Sequence, residues 1–273
     1  MTERIAKYTH NGLTFDVVDG GPIDGDTVVL LHGFPQTAAS WTAVSEVLHN
    51  KGFRTLAPTQ RGYSAGARPA GRREYTTDKL TDDIVALIEL AGGPVHLVGH
   101  DWGAMVAWSV ASARPELVRT LTTVSVPHPA AFFKSMTSSK QLLRSFYMGI
   151  FQIPKVGEAF ARSMFPRAGM TDEGLAVSTA QVLDTPALTT AMNWYRALPF
   201  EPRDEIRAKV TRPTTHVWSD GDIALDRKGA LLTEHFVDAP YKLEIIEGAN
   251  HWLPEKRPQQ IAEIIADRAA SIG

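Results

Sequence analysis

Three side chains with the chemistry of a nucleophile, an acid and a base stand just beyond apolar segments: Asp101, Asp222 and His251. Asp101 lies in Gly99-His100-Asp101-Trp102-Gly103, directly after the apolar run Val95-His96-Leu97-Val98. A buried strand that enters a Gly-X-Asp-X-Gly turn and leaves as a helix, here 105–113, makes a sharp elbow. Its glycines tolerate the tight backbone, and one side chain is lifted above the sheet. The simpler use of the aspartate is as a helix N-cap. As a nucleophile, a carboxylate with pKa of about 3.9 is already ionised at neutral pH and needs no base to attack. Attack on saturated carbon gives an ester that water can cleave at its carbonyl, whereas a serine would give an inert ether. The electrophiles that suit it carry a leaving group on saturated carbon, epoxides and haloalkanes foremost.

The segment Ser219-Asp220-Gly221-Asp222 follows the apolar run 214–218, and Gly248-Ala249-Asn250-His251-Trp252 follows 242–246. Asp222 and His251 thus fall where an orienting acid and a base belong, in the order nucleophile, acid, histidine. Asp220 is the rival acid, since a strand-end loop could present either. Leu31-His32-Gly33-Phe34-Pro35 follows another apolar run, and the backbone amides of Phe34 and Trp102 are the expected oxyanion donors. A literal Gly-X-Ser-X-Gly at Gly62-Tyr63-Ser64-Ala65-Gly66 would suggest a serine esterase, but Gly66, Pro69 and Gly71 leave no room for the helix that must follow. His96 and His100 are no metal pair, because strand positions four apart lie ~13 Å from each other.

These residues need a scaffold to hold them. Apolar, β-branched segments at 27–31, 54–57, 95–98, 121–126, 214–218 and 242–246 read as strands covered on both faces. Helical stripes lie between them, at Leu80, Ile84, Leu87 and Ile88 and again at Ile261, Ile264 and Ile265. The alternation predicts an α/β fold with a mostly parallel sheet wrapped by helices. Residues 127–208 break the rhythm and hold seven of the 11 Phe and five of the seven Met, so they are expected to form a helical cap over an apolar pocket. The core is then 1–126 with 209–273. The whole chain of 273 residues, 44% hydrophobic and 21% charged with a net charge of −2, suits one enzyme-sized globular unit and disfavours nucleic acid or membrane partners. The absence of cysteine excludes thiolate nucleophiles and cysteine-ligated metals, and no metal or organic cofactor is implied. Without an apolar leader or a 20-residue apolar run, a cytoplasmic location is the default expectation. Monomer and homodimer both stay open.

His32-Gly33-Phe34-Pro35, Gly99-His100-Asp101-Trp102-Gly103, Asp222 and His251-Trp252 resemble the epoxide-hydrolase and haloalkane-dehalogenase branch of the α/β-hydrolase fold, along nearly the whole chain. In the cap, 145–154 and 193–196 are similar to the two segments from which epoxide hydrolases supply a pair of tyrosines, here Tyr147 and Tyr195. A phenol suits an epoxide, whose opening leaves an alkoxide on the substrate, whereas a departing halide needs no proton. The resemblance implies a small apolar epoxide and water as substrates, with Trp102, Phe34, Phe151 and Trp252 on the pocket wall. Haloalkane dehalogenase, serine esterase and a non-catalytic small-molecule receptor are the alternatives. Fluoroacetate dehalogenases share the Gly-His-Asp elbow, but they carry arginines just after the nucleophile where this chain has Ala104, Met105 and Val106, which counts against an acidic substrate.

Overall fold

The computed structural model describes residues 3–201 and 208–272; residues 202–207, the closing stretch of the expected cap, lie outside it. Strands β1 (Lys7–His10), β2 (Leu13–Gly20), β3 (Thr27–Leu31), β4 (Arg54–Pro58), β5 (Val95–His100), β6 (Val118–Val124), β7 (Thr214–Ser219) and β8 (Tyr241–Ile246) join in one sheet in the order β1-β2-β4-β3-β5-β6-β7-β8. β2 pairs antiparallel with β1 and β4, and every later pair is parallel. Along β3 the side chains alternate between two layers. Val28 and Leu30 pack with the Leu48 and Ile265 side of the molecule, and Val29 and Leu31 with Leu80, Ile84 and Val106. Helices Thr42–Asn50 and Pro258–Ala270 therefore cover one face, and Thr77–Leu90 and Trp102–Ala113 the other. The last of these is buried almost all round, which its small Ala104, Ala107 and Ala111 permit.

Several sequence expectations need correction. β1 and β2 lie outside the six expected strands, although Asn11-Gly12 between them, both at positive φ, is a hairpin signal. β6 runs from Val118 to Val124 rather than over 121–126, because Ser125 takes φ 70° and turns the chain. β8 is an edge strand and only half-buried. Ser64 starts no helix: its hydroxyl donates to Asp16 Oδ2 (2.6 Å) and accepts from the Asp16 amide (2.9 Å), so it braces a turn. No helix among the described residues is long and apolar enough to cross a membrane.

Between Pro129 and Phe200 the described residues form helices and turns alone, layered over the carboxyl ends of the parallel strands. Arg196 donates to both Glu158 oxygens (3.0 Å each) and to the Phe151 carbonyl (2.9 Å), which ties Asn193–Ala197 to two neighbouring helices. The Trp194 indole N–H donates to the Arg61 carbonyl (2.8 Å) and so anchors the layer to the core. Arg61 is itself buried and held by both Asp83 oxygens (2.7 and 2.8 Å) and the Glu74 carbonyl. Removing one partner of such a pair leaves an uncompensated buried charge. Asp83→Asn should therefore cost about 3 kcal/mol, measured by urea denaturation; a loss within experimental error of zero would show that Arg61 is not held by this pair.

Candidate active site

β5, β7 and β8 run parallel, so the loops beyond their carboxyl ends meet on one edge of the sheet. Asp101 sits at the end of β5 with φ 53° and ψ −122°, a conformation rare for a side chain with a Cβ. The turn is tight enough that a Cβ on Gly99 would lie 2.2 Å from the Gly103 carbonyl oxygen, and one on Gly33 would lie 2.3 Å from the Cβ of Asp101 itself. The Asp101 side chain makes no capping bond to its helix. Its Oδ1 accepts the Phe34 amide (2.8 Å) and its Oδ2 lies 3.5 Å from His251 Nε2. The N-cap reading is thus not realised.

His251 Nδ1–H donates to Asp222 Oδ2 at 2.7 Å, and the other Asp222 oxygen accepts the amides of Ala224 (2.8 Å) and Leu225 (2.9 Å). Asp220 is exposed and accepts the Gly248 amide instead (2.8 Å), so the carboxylate that meets the histidine is Asp222. Burial opposes charge on His251, but Asp222 and Asp101 outweigh it and push the imidazole up to about 10. Burial likewise works against the Asp101 carboxylate, yet the hydrogen bond and charge of His251, with His100 and the Phe34 amide, hold it below the usual range. His251 thus lies between two carboxyl groups that both favour a proton on its ring. The Trp102 amide opens the helix after Asp101, a position whose N–H has no acceptor within the helix.

Tyr147 and Tyr195 descend from different helices, Phe146–Phe151 and Asn193–Ala197, and their ring centroids lie 6.2 Å apart. Tyr195 packs edge-on against Trp102 (4.9 Å) and Phe34 (5.5 Å). Both tyrosines and Asp101 line two cavities at once. The larger, about 370 Å³, continues past Phe34, His251, Trp252, Phe160 and Met164; the smaller, about 50 Å³, is lined by Trp102, Met105, Val126, Phe132 and Leu225. Phe151, expected on the pocket wall, lines neither. It is fully buried behind the tyrosines, 4.9 Å from the Tyr195 ring and 5.4 Å from that of Tyr147, because its helix turns that side toward Phe160.

Sequence reading missed three supporting residues. His100, weighed only as a metal ligand, is fully buried and donates from Nε2 to the His251 carbonyl (2.9 Å), with Nδ1 3.2 Å from the Gln36 side-chain oxygen. Gln36 in turn bonds Glu255. Arg144 reaches from the helical layer to the Asp222 carbonyl (2.6 Å). The adjacency of His100 to Asp101 was the one available signal for any of them.

The chain matches the alpha/beta hydrolase family over residues 28–264. It is 34% identical over 272 residues to AB hydrolase superfamily protein YfhM of Bacillus subtilis, covering 94% of each chain. It is also 34% identical over 264 residues to epoxide hydrolase 2 of Caenorhabditis elegans, covering 89% of this chain and 74% of that protein. Among solved structures it resembles epoxide hydrolase A from Mycobacterium thermoresistibile, with 25% identity, TM-score 0.83 and 97% of both chains covered. The sheet order, the elbow at Asp101 and these matches place the chain in one family: it belongs to the alpha/beta hydrolases.

Proposed function

We propose that the protein hydrolyses epoxides to vicinal diols through an ester on Asp101, with residues 127–208 acting as the cap over a core of 1–126 and 209–273. The observation that carries this reading is that an ionised carboxylate and two phenols line the same two cavities. The names of the relatives agree with it. Asp101 attacks a ring carbon while the carbon–oxygen bond of the epoxide breaks and the departing oxygen takes a proton from Tyr147 or Tyr195. Burial first, then for Tyr147 the charges of Asp101 and Asp222, raises its hydroxyl above the usual tyrosine range; burial, Tyr147 and Asp101 raise that of Tyr195. Both phenols therefore stay protonated, as donors must.

Ester formation removes the Asp101 charge, one of the two that retain the His251 proton. The ring is left with Asp222 alone and gives up its proton, which passes through water to the tyrosinate left by the first step, so its Nε2 becomes a base for water. Hydroxide adds to the ester carbonyl, the oxyanion forms beside the Phe34 and Trp102 amides, and each such donor contributes about 3 kcal/mol in comparable sites. Collapse breaks the acyl–oxygen bond, the diol alkoxide takes the proton from His251, and the carboxyl group left on Asp101 passes its proton to the neutral ring, which restores the starting charges.

Replacing His251 with Gln should stall the second half-reaction. Mixing that variant with an aryl epoxide is expected to add the mass of one epoxide to the intact protein, on a peptide containing Asp101; an unmodified protein after single turnover would count against the ester. In the double variant Tyr147→Phe, Tyr195→Phe, diol formation should fall by about 100-fold or more. Diol formation that persists would overturn the role of the tyrosines, and halide released from bromoalkanes at comparable rates by both proteins would make the reaction dehalogenation.

The raised His251 pKa also carries a stability signature. The folded ring binds its proton more tightly than an unfolded histidine near 6.5, so the contribution is full below about pH 6.5 and lost as pH rises through about 10. The Tm advantage of wild type over His251→Gln should shrink between pH 7 and 10 in thermal scans. A constant difference would mean that the ring is neutral in the folded protein.

A further inference from the structure

The large apolar side chains that stay in water are gathered on one part of the molecule. Among the described residues eleven are exposed, and six of these fall within residues 133–156: Phe133, Leu142, Leu143, Phe146, Ile153 and Val156. Leu143, 74% exposed, is the most exposed of all. Local packing sets the direction they take. Gln141 and Ser145 are buried, and Gln141 holds the Ala224 carbonyl (2.8 Å) and the Asp226 amide (2.7 Å), so the turn between them presents Leu142 and Leu143 outward. The loop gripped by Gln141 brings up Ile223, 70% exposed, which lines the larger cavity with Phe146 and Arg144. Leu142, Leu143, Phe146 and Ile223 thus share the surface around the mouth of that cavity.

Positive charge surrounds them. Residues 127–171 carry Lys134, Lys140, Arg144, Lys155, Arg162 and Arg167 against a single acid, Glu158, which is buried and paired with Arg196 (3.0 Å), whereas the rest of the chain has a surplus of acids. Lys134, Lys140 and Lys155 are exposed and make no ion pair with a carboxylate among the described residues. Arg167, also exposed, has only the Ser163 carbonyl (2.9 Å). The net charge of −2 disfavours a membrane for the chain as a whole, but the local charge of this face has the opposite sign. We propose that this face of the helical layer docks on an anionic lipid surface. Leu142, Leu143, Phe146 and Ile223 enter the boundary between headgroups and acyl chains, while Lys134, Lys140, Lys155 and Arg167 engage the lipid phosphates. Docking of this kind is independent of the reaction proposed above, and it turns the mouth of the larger cavity toward the bilayer. A second copy of the chain fits the face less well, because a two-fold contact sets these cations against their own counterparts. A soluble polyanion matches the charge but leaves the exposed leucines without a role.

The test is co-sedimentation of the protein with vesicles of phosphatidylcholine, with or without one third phosphatidylglycerol, at low and high salt. Binding is expected for the anionic vesicles alone and should weaken at least tenfold at high salt. Each lysine near such a surface contributes about fivefold, so the double variant Lys140→Gln, Lys155→Gln should lose more than about tenfold. The double variant Leu142→Ser, Leu143→Ser should lose about tenfold or more through its missing apolar contact. All four side chains are exposed, and an unchanged Tm will show that both variants fold. The chain has no cysteine, so a single one can carry an environment-sensitive dye. On anionic vesicles the dye at Leu143→Cys should brighten. The dye at Asn50→Cys should not, since Asn50 ends the helix before β4, at the amino ends of the parallel strands and opposite the helical layer. No binding to either vesicle, or an equal response of the two dyes, would overturn the docking face. Full binding by the leucine variant would overturn the insertion and leave adsorption by charge. A dimer in vesicle-free buffer that the leucine variant dissociates would assign the face to a second copy instead.

Discussion

The site depends on one imidazolium held between two buried carboxylates. Removing an ion from water costs several kcal/mol, and burial opposes the charge on Asp101 and on His251, which each offsets for the other. Each carboxylate is therefore fixed separately before the ring bridges them: Asp101 by the elbow and the Phe34 amide, Asp222 by the amides of Ala224 and Leu225. The balance is asymmetric. Asp222 sits at 2.7 Å from His251 and Asp101 at 3.5 Å, and in the reaction proposed above the nearer partner orients the ring while the farther one attacks.

A second dependence joins the helical layer to that ion triplet. In the turn Gln141–Arg144, Gln141 donates to the Ala224 carbonyl (2.8 Å) and accepts the Asp226 amide (2.7 Å), and Arg144 holds the Asp222 carbonyl. Helix Phe146–Phe151, which carries Tyr147, starts two residues later. The phenol and the loop of the orienting acid are thus clipped together although about 75 residues separate them, and a shift in one is transmitted to the other. Tyr195 is fixed by a different device, the Arg196 and Glu158 pair together with the Trp194 bond to Arg61. The bonds from Arg196 to the Phe151 carbonyl (2.9 Å) and from Gln152 to the Tyr195 carbonyl (2.6 Å) join the two anchored helices and so set the separation of the two hydroxyl-bearing rings.

Much of this was legible before any coordinates. The elbow at Asp101 was readable because a buried apolar run, two glycines and a helical continuation are local features, and the loops after 214–218 and 242–246 were readable for the same reason. Ser64 could be dismissed locally, since glycine and proline forbid the helix it would need. The N-terminal hairpin went unread because its strands alternate weakly and its Asn-Gly turn was not weighed. Phe151 was misplaced because a bulky aromatic in a helical segment says nothing about which side of its helix the cavity occupies.

Residue chemistry, period and turn type are properties of short stretches, and from them the sequence alone determined the alternating α/β order of elements and singled out the three charged residues, while the two tyrosines were singled out by the likeness of their segments to those of epoxide hydrolases. Tertiary structure decided the rest. Whether Asp220 or Asp222 meets His251 depends on a loop pinned from one side by Gly248 and from the other by Gln141 and Arg144. That His100 supports His251 depends on strands β5 and β8 ending on one edge. The course of the large cavity from Asp101 to Arg167 depends on how the short helices that line it stack. All three are contacts between segments far apart in the chain, where packing and charge compensation choose among side chains that local sequence leaves equivalent.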